Sequence, residues 1–220
     1  MMPLILAVDT TGEYGSLALA RDGELLEEAQ LHAPTGFSGV LYEELSFLLG
    51  RHGVTLAEVA CFAAASGPGT FTGVRVALGC VKGLAEAMGK PAVAVSNLLA
   101  VARYGSARLR GVALDARRGE IYGAVYSDAG KLVTEEVVAK LAPWLETLPD
   151  GVEEFLSNDL ALDLAATRFA GARVVTAPRQ LAGAIARIAG ERLARGEACD
   201  AAELDANYVR RTDAELALKV

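Results

Sequence analysis

One stretch of this chain is written twice, and that duplication restricts its fold more than any other feature. Ile5–Leu26 reads ILAVDTTGEYGSLALARDGELL, and Val112–Val133 reads VALDARRGEIYGAVYSDAGKLV. Asp9 matches Asp115, Gly12-Glu13 matches Gly119-Glu120 after a one-residue shift, and Gly23 matches Gly130. Within the first copy, Pro3–Asp9, Gly15–Arg21 and Glu24–Leu31 have strand composition, and Asp22-Gly23 is a strong hairpin signal. The chain is therefore expected to build a strand–turn–strand–turn–strand meander twice.

The segments after each copy supply crossovers. Phe37, Leu41, Leu45 and Leu48 recur at helical spacing, predicting a helix over Phe37–Arg51 that Gly53 ends. Val59–Ala65 reads as a buried strand and Ser66–Gly69 as a turn. Thr72–Met88 reads as a helix rich in small residues, stopped by Gly89 with Pro91 just beyond. A strand at Ala92–Val95 and a short helix at Asn97–Tyr104 close the first half. After the second copy come a short helix at Pro143–Leu148, a strand at Glu154–Ser157 and a helix at Asp159–Phe169. A strand at Arg173–Thr176 and a long helix at Gln180–Arg195 complete the pattern. Two meanders, each followed by α/β crossovers, point to an α/β class. One known solution is the ribonuclease-H-like fold duplicated as two lobes, as in actin, sugar kinases and Hsp70 (the ASKHA architecture). The lobes are expected at 1–105 and 106–220, with the C-terminal segment a candidate to pack back on the first. By that analogy Asp9 and Asp115, each ending the first strand of its lobe, would face one another.

Composition narrows the function classes. Hydrophobic residues are 52% of the 220 and charged residues 22%, ample for a packed core. The apolar runs Leu4–Val8, Phe62–Ala65 and Val93–Val95 are far shorter than the roughly 18 residues of a membrane span. Asp9 interrupts the first run and no basic region precedes it, so the cytoplasm is the expected location, with no membrane partner. Cys61, Cys80 and Cys199 are odd in number and lack C-x-x-C spacing, which argues against a disulfide framework or a zinc site and for buried thiols. The net charge of −7 disfavours free-standing nucleic-acid binding. The basic residues that do cluster are Arg108, Arg110, Arg117 and Arg118, and later Arg210 and Arg211.

Ser66–Arg75 (SGPGTFTGVR) lies between a strand and a helix. Gly67, Gly69 and Gly73 permit tight turns, and a helix start with amide donors, including Thr70, suits an anion. It lacks G-K-[ST] and G-x-G-x-x-G, so it is neither a P-loop nor a dinucleotide fingerprint. A phosphate cradle and a tight packed connection both remain open. Asp9, Thr10 and Thr11 likewise fit either a phosphate or magnesium contact, with Asp115 as counterpart, or a turn in which Asp9 holds nearby amides. His32 and His52 stand on separate elements, so no H-x-x-x-H or H-E-x-x-H pair exists, and Ser66 lacks the G-x-S-x-G elbow. No catalytic residue and no metal ligand is expected.

The helix Phe37–Arg51 carries more apolar residues than one stripe needs, among them Val40, Tyr42, Phe47 and Leu49. The helix after it is unusually rich in Gly and Ala. Small residues let helices approach closely, and a surplus apolar face invites a partner subunit. The expected contact residues are Leu41, Glu44, Leu45, Leu48, Gly73, Arg75, Val76, Gly79, Cys80 and Gly83.

Taken together, Ile5–Thr11 (ILAVDTT), Ser66–Leu78 (SGPGTFTGVRVAL), Pro91–Leu98 with its V-S-N-L, Leu114–Tyr122 (LDARRGEIY) and Asn207–Arg211 (NYVRR) resemble the bacterial TsaB family, formerly YeaZ. The S-G-P-G-T-F-T-G-V-R string in its strand–helix setting is the specific element. The resemblance implies a two-lobed actin-like fold without catalytic competence, serving as scaffold in the synthesis of threonylcarbamoyladenosine on tRNA. It implies pairing with a TsaD-type catalytic paralogue through the first lobe's helices, with a TsaE-type ATPase joining and tRNA reached through the complex. It also implies a homodimer on the same surface when the chain is alone. No tightly held cofactor is expected, with ATP or ADP at the interface with partners. Two departures concern partner contacts. Phe37-Ser38-Gly39 stands where many members have His-Ser-Glu, and Ala206-Asn207 stands where a proline is common. The alternative from another class is a small-molecule kinase or ATPase of the sugar-kinase fold, binding ATP through Asp9, Thr10, Asp115 and the glycine loop.

Overall fold

The computed structural model describes residues 3–34 and 36–209. Arg210 and Arg211, which close the N-Y-V-R-R string, lie outside the described residues. The described residues group into two units: those up to Ala100 with Arg179–Ala206, and Val101–Pro178 with those from Asn207.

The first unit opens with the meander read from the sequence: β1 (Leu4–Asp9), β2 (Tyr14–Arg21) and β3 (Glu24–His32). A single 3-10 turn at Phe37–Gly39 leads into α1 (Leu41–Arg51). The helix predicted from Phe37 is therefore two pieces, because Gly39 sits at their junction and Val40 starts the α-helix without a side-chain cap. Next come β4 (Val59–Gly67), α2 (Phe71–Met88), β5 (Ala92–Ser96) and α3 (Asn97–Ala102). The sheet order is β3-β2-β1-β4-β5, antiparallel across β1–β2–β3 and parallel across β1–β4–β5. Every residue of β1 is buried, as expected of a strand whose two faces are both covered and which therefore reads as one apolar run. Leu4, Leu6 and Val8 join α1 and α2 in a core that includes Leu41, Leu45, Leu48, Val74 and Val81. Each such side chain contributes on the order of 2 kcal/mol by leaving water.

On the other sheet face, Ile5 meets α5 (Ala182–Ala194). Chain order placed this helix in the second lobe, at 106–220, but it packs on β1, β2 and β4 of the first. Two features bring it there. Its start is capped from the sheet, with Ala182 N donating to Ser16 Oγ (3.0 Å) and Gly183 N to Glu28 Oε1 (2.9 Å). Its buried residues Ala182, Gly183, Ala184, Ala186 and Ala189 are small enough for close approach. A Cβ at Gly183 would come within 2.9 Å of Glu28 Oε2.

The second unit repeats the topology. β6 (Leu109–Asp115), β7 (Ile121–Ser127) and β8 (Leu132–Ala139) form the meander, followed by α4 (Leu141–Thr147), β9 (Glu154–Ser157) and β10 (Arg173–Thr176). Their order, β10-β9-β6-β7-β8, matches the first sheet strand for strand. The fold is the duplicated ribonuclease-H-like, ASKHA-type α/β architecture. Phe155 centres this core, its ring edge-on to Trp144 at 6.2 Å and Phe169 at 5.0 Å. Gly111 leaves room for that ring, since a Cβ there would approach it to 2.6 Å.

The helix expected at Asp159–Phe169 is absent; these residues form bends and turns. Short polar side chains take the amides instead: Leu160 N donates to Ser157 Oγ (3.1 Å), Ala165 N to Asp163 Oδ1 (3.0 Å) and Phe169 N to Thr167 Oγ1 (3.1 Å). Such local bonds compete with the helical ladder. Leu164 and Phe169 are nevertheless buried, which explains why the apolar spacing looked helical. Arg110, counted among the basic residues, is also buried; it donates to Ala107 O and Ala102 O and adds nothing to a basic surface.

Candidate functional site

Within the first unit the glycine loop and the D-T-T turn lock together. Thr70 N donates to Thr11 O (2.8 Å), and Thr10 Oγ1 donates to Gly73 O (2.7 Å). Thr70 caps α2 by accepting Gly73 N at its Oγ1 (3.2 Å). Asn97, at the start of α3, ties both segments down: its Oδ1 accepts Gly67 N (3.1 Å), and its Nδ2 donates to Thr11 Oγ1. The glycines are there for contact. A Cβ on Gly73 would fall 2.0 Å from Thr10 O, and one on Gly69 would fall 2.7 Å from Thr11 Cβ and O. Gly67 alone in this loop holds a positive φ, 98°.

This geometry bears on the two readings the sequence left open. The amides of Gly67, Thr70 and Gly73 and the hydroxyl of Thr10 are committed to partners in the same chain. Of the two readings, this packing supports the tight connection between strand and helix. Asn97 had no role assigned from the sequence; its only signal was its place in the V-S-N-L string.

Asp9 lies beneath this junction, 2% exposed. Its Oδ1 accepts Thr11 N (2.9 Å) and Thr11 Oγ1 (2.6 Å), the Asx-type arrangement. Burial pushes its carboxyl up from 3.8 to about 6, the two Thr11 bonds pull in the other direction, and nearby Glu28 adds to the rise. Asp115 stands at the equivalent strand end of the second unit, half-buried, accepting Arg117 N (2.8 Å). The two aspartates belong to different units, each holding its own turn.

The helix residues expected to meet a partner divide in two. Leu41, Leu45 and Leu48 are 1%, 3% and 0% exposed, so they belong to the unit's own core and cannot form its surface. Gly73 and Cys80 are buried as well, Gly73 against Thr10 and Cys80 beside Tyr42. Burial lifts the Cys80 thiol to about 11, and a hydrogen bond with Tyr42 offsets part of that rise. Val76 and Glu44 are half-buried. What α2 turns outward is Arg75, Gly79 and Gly83, one turn apart, with nothing within 4 Å of a Cβ at either glycine. Tyr42, beside Cys80, and Phe71, at the head of α2, are 56% and 44% exposed, with the Arg75 guanidinium 3.7 Å from the Phe71 ring centre; Phe47, elsewhere on α1, is 53% exposed. Tyr42 and Phe47 were legible as surplus apolar residues of their helix; Phe71 was not.

Both histidines have structural partners. His32 stacks on Tyr14 at 4.9 Å, and His52, at the end of α1, meets Glu27 at 2.8 Å. Among the described residues no three His, Cys, Asp or Glu side chains are grouped to hold a metal ion. Also among them, no helix is long and apolar enough to cross a membrane.

Comparison with known proteins places these features. The family model described as TsaD, tRNA N6-adenosine threonylcarbamoyltransferase, matches residues 33–196. The tRNA threonylcarbamoyladenosine biosynthesis protein TsaB of Bacillus subtilis is 30% identical, over 96% of this chain and 96% of its own. Its namesake in Escherichia coli K12 is 36% identical over 63% of this chain, and that match spans 62% of the E. coli protein. The solved structure of YeaZ from Pseudomonas aeruginosa, 28% identical, superposes with a TM-score of 0.76 over 94% of this chain and 100% of that one. The chain belongs to the TsaB (YeaZ) family of tRNA threonylcarbamoyladenosine biosynthesis proteins.

Proposed function

We propose that this chain is an activating subunit, without transferase chemistry of its own, in the assembly that installs threonylcarbamoyl on a tRNA adenosine. It pairs with a TsaD-type catalytic paralogue through the outward face of α2 and the neighbouring Tyr42 of α1. A TsaE-type ATPase joins them, and tRNA is engaged by the assembled complex. When the paralogue is missing, two copies of the chain pair on the same face. The assembly acts in the cytoplasm. The observation that carries this reading is the bare pair Gly79 and Gly83 on α2, with the exposed aromatics Tyr42, beside Cys80, and Phe71, at the head of the helix. Exposed glycines let a second helix come close to this backbone, and large exposed aromatics are the residue type that anchors interfaces. The packed glycine loop supports placing ATP or ADP between this chain and its partners rather than inside it. The structural partners of His32 and His52 support the absence of transferase chemistry.

Reconstitution tests the proposal. The full chain, the catalytic paralogue and the ATPase together should modify an unmodified tRNA transcript, and leaving this chain out should abolish the activity. An unchanged rate on omission would refute the role. Light scattering adds the interface test: a homodimer of the chain should convert to a heterodimer when the paralogue is added, and Gly79→Trp should block both.

A further inference from the structure

The turn between β6 and β7 holds three successive residues at positive φ: Arg117 at 64°, Arg118 at 57° and Gly119 at 74°. Glu120 N donates to Arg117 O (3.0 Å), so Arg118 and Gly119 are the central pair of a four-residue turn of type I′ character. That geometry is met at little strain by Asn-Gly, Asp-Gly or Gly-Gly, whereas arginine carries the Cβ clash with the backbone without the local side-chain hydrogen bond that offsets it for Asn and Asp. The only other described non-glycine residue at positive φ is Asp22, at 56°, an ordinary choice for the position. Two adjacent arginines are not an ordinary choice.

The turn is held from below by backbone groups and by the carboxylates of Asp115 and Asp159. Asp115 accepts Arg117 N at 2.8 Å, Ala116 N donates to Glu120 O at 3.0 Å, and Asp115 N donates to the Asp159 carboxylate at 3.2 Å. Strain that a neighbourhood over-determines in this way marks a functional position. The matching turn of the first copy offers the contrast. Its Thr10 and Thr11 are buried and docked on α2, whereas Arg117 and Arg118 are exposed, the Arg117 side chain by 79% with its Nη1 3.7 Å from Asp115 Oδ2.

Exposed guanidinium groups at a hairpin tip suit the phosphates of a large polyanion, which need no buried cradle. In a chain of net charge −7, a basic pair kept at strained positions runs against the overall composition. We infer that the Arg117–Arg118 turn contacts the phosphodiester backbone of the tRNA. It makes a sequence-independent contact that positions the substrate. This inference rests on the proposed role of the chain in a tRNA-modifying assembly.

The test is filter binding of an unmodified tRNA transcript to the reconstituted complex across a salt series, with the full chain carrying Arg117→Asn and Arg118→Asn. Asparagine is at home at positive φ, so the isolated variant should melt at or above the wild-type temperature. Affinity for tRNA near 0.1 M salt should fall about tenfold, and the slope of log affinity against log salt should become shallower by about 2. Unchanged affinity and slope would overturn the inference, as would a wild-type complex with no affinity for the transcript. A lowered melting temperature would show that the arginines serve the fold, and weakened assembly with the paralogue would show that they face an acidic protein surface; either result sinks it. The omission assay scores the underlying role separately, because it asks whether the chain is needed whatever its turn touches.

Discussion

Replacing Asp9 by asparagine preserves the side-chain shape and the oxygen that accepts Thr11 N at 2.9 Å and Thr11 Oγ1 at 2.6 Å. Only the charge is removed. Burial moves this carboxyl from 3.8 to about 6, and a gap of that size corresponds to about 3 kcal/mol between the two protonation states. The sign follows from its direction. A carboxyl whose folded value is raised favours the native state when protonated; that contribution is complete below the unfolded value and is lost as pH rises through the folded one. The wild-type chain should therefore lose stability relative to Asp9→Asn as pH rises, over the window from 3.8 to about 6. Of the whole, about 2 kcal/mol should develop between roughly pH 4.5 and pH 8. Urea unfolding of both proteins at several pH values gives the difference, in which the remaining titrating groups cancel. If that difference stays flat across the window, or grows toward low pH, the burial argument for Asp9 fails.

Gly73→Ala should unfold the first unit or lower its stability by about 3 kcal/mol or more, because the new Cβ falls 2.0 Å from a backbone oxygen; thermal melting checks it. Gly79→Ala, on the same helix but in open space, should instead stabilise the isolated chain by about 0.5–1 kcal/mol, while weakening its pairing with a partner in light scattering. Glu154, fully buried, is pushed up by burial but held below the usual carboxylate range by Arg173 and by the amides of Ala107 and Ser106. A lowered value means that its contribution is present above the unfolded value and lost as pH falls through the folded one. Relative to wild type, Glu154→Gln should accordingly look most destabilised near neutral pH, in the same urea experiment.

Much of the fold is legible in the residues, and the parts that are not share a cause. The meanders are plain because strand period, Asp22-Gly23 and the repeated D…G-E spacing are local signals, and each meander pairs strands adjacent in the chain. The long-range facts are different. That α5 leaves the second half of the chain to pack on β1 and β2 depends on Ser16 and Glu28 capping a helix more than 150 positions away. No window of sequence contains that relation. The inward and outward faces of α1 were blurred because its apolar residues exceed one stripe. Only burial separates Leu41, Leu45 and Leu48, which hold the unit together, from Tyr42 and Phe47, which remain exposed.

The same distinction governs the glycine loop. Local chemistry makes Ser66–Arg75 look like a phosphate cradle, since glycines followed by a helix start are the ingredients of one. The packed reading draws its support from a contact across 63 positions, where Thr10 Oγ1 meets Gly73 O. Gly73 and Gly69 supply the room that Thr10 and Thr11 occupy. A loop rigidly tied to β1 and α3 in this way fixes where α2 begins and how its face is set. The bare stripe at Gly79 and Gly83 is then presented by a helix anchored at its first turn. An interface built on it would inherit that rigidity and pay little in ordering entropy on docking. Loosening the anchor with Thr10→Val, which removes the hydroxyl while keeping the shape, should therefore weaken partner binding through a faster dissociation rate, although Thr10 is 0% exposed. Unchanged dissociation in surface-capture kinetics would show that the loop and the docking face are independent.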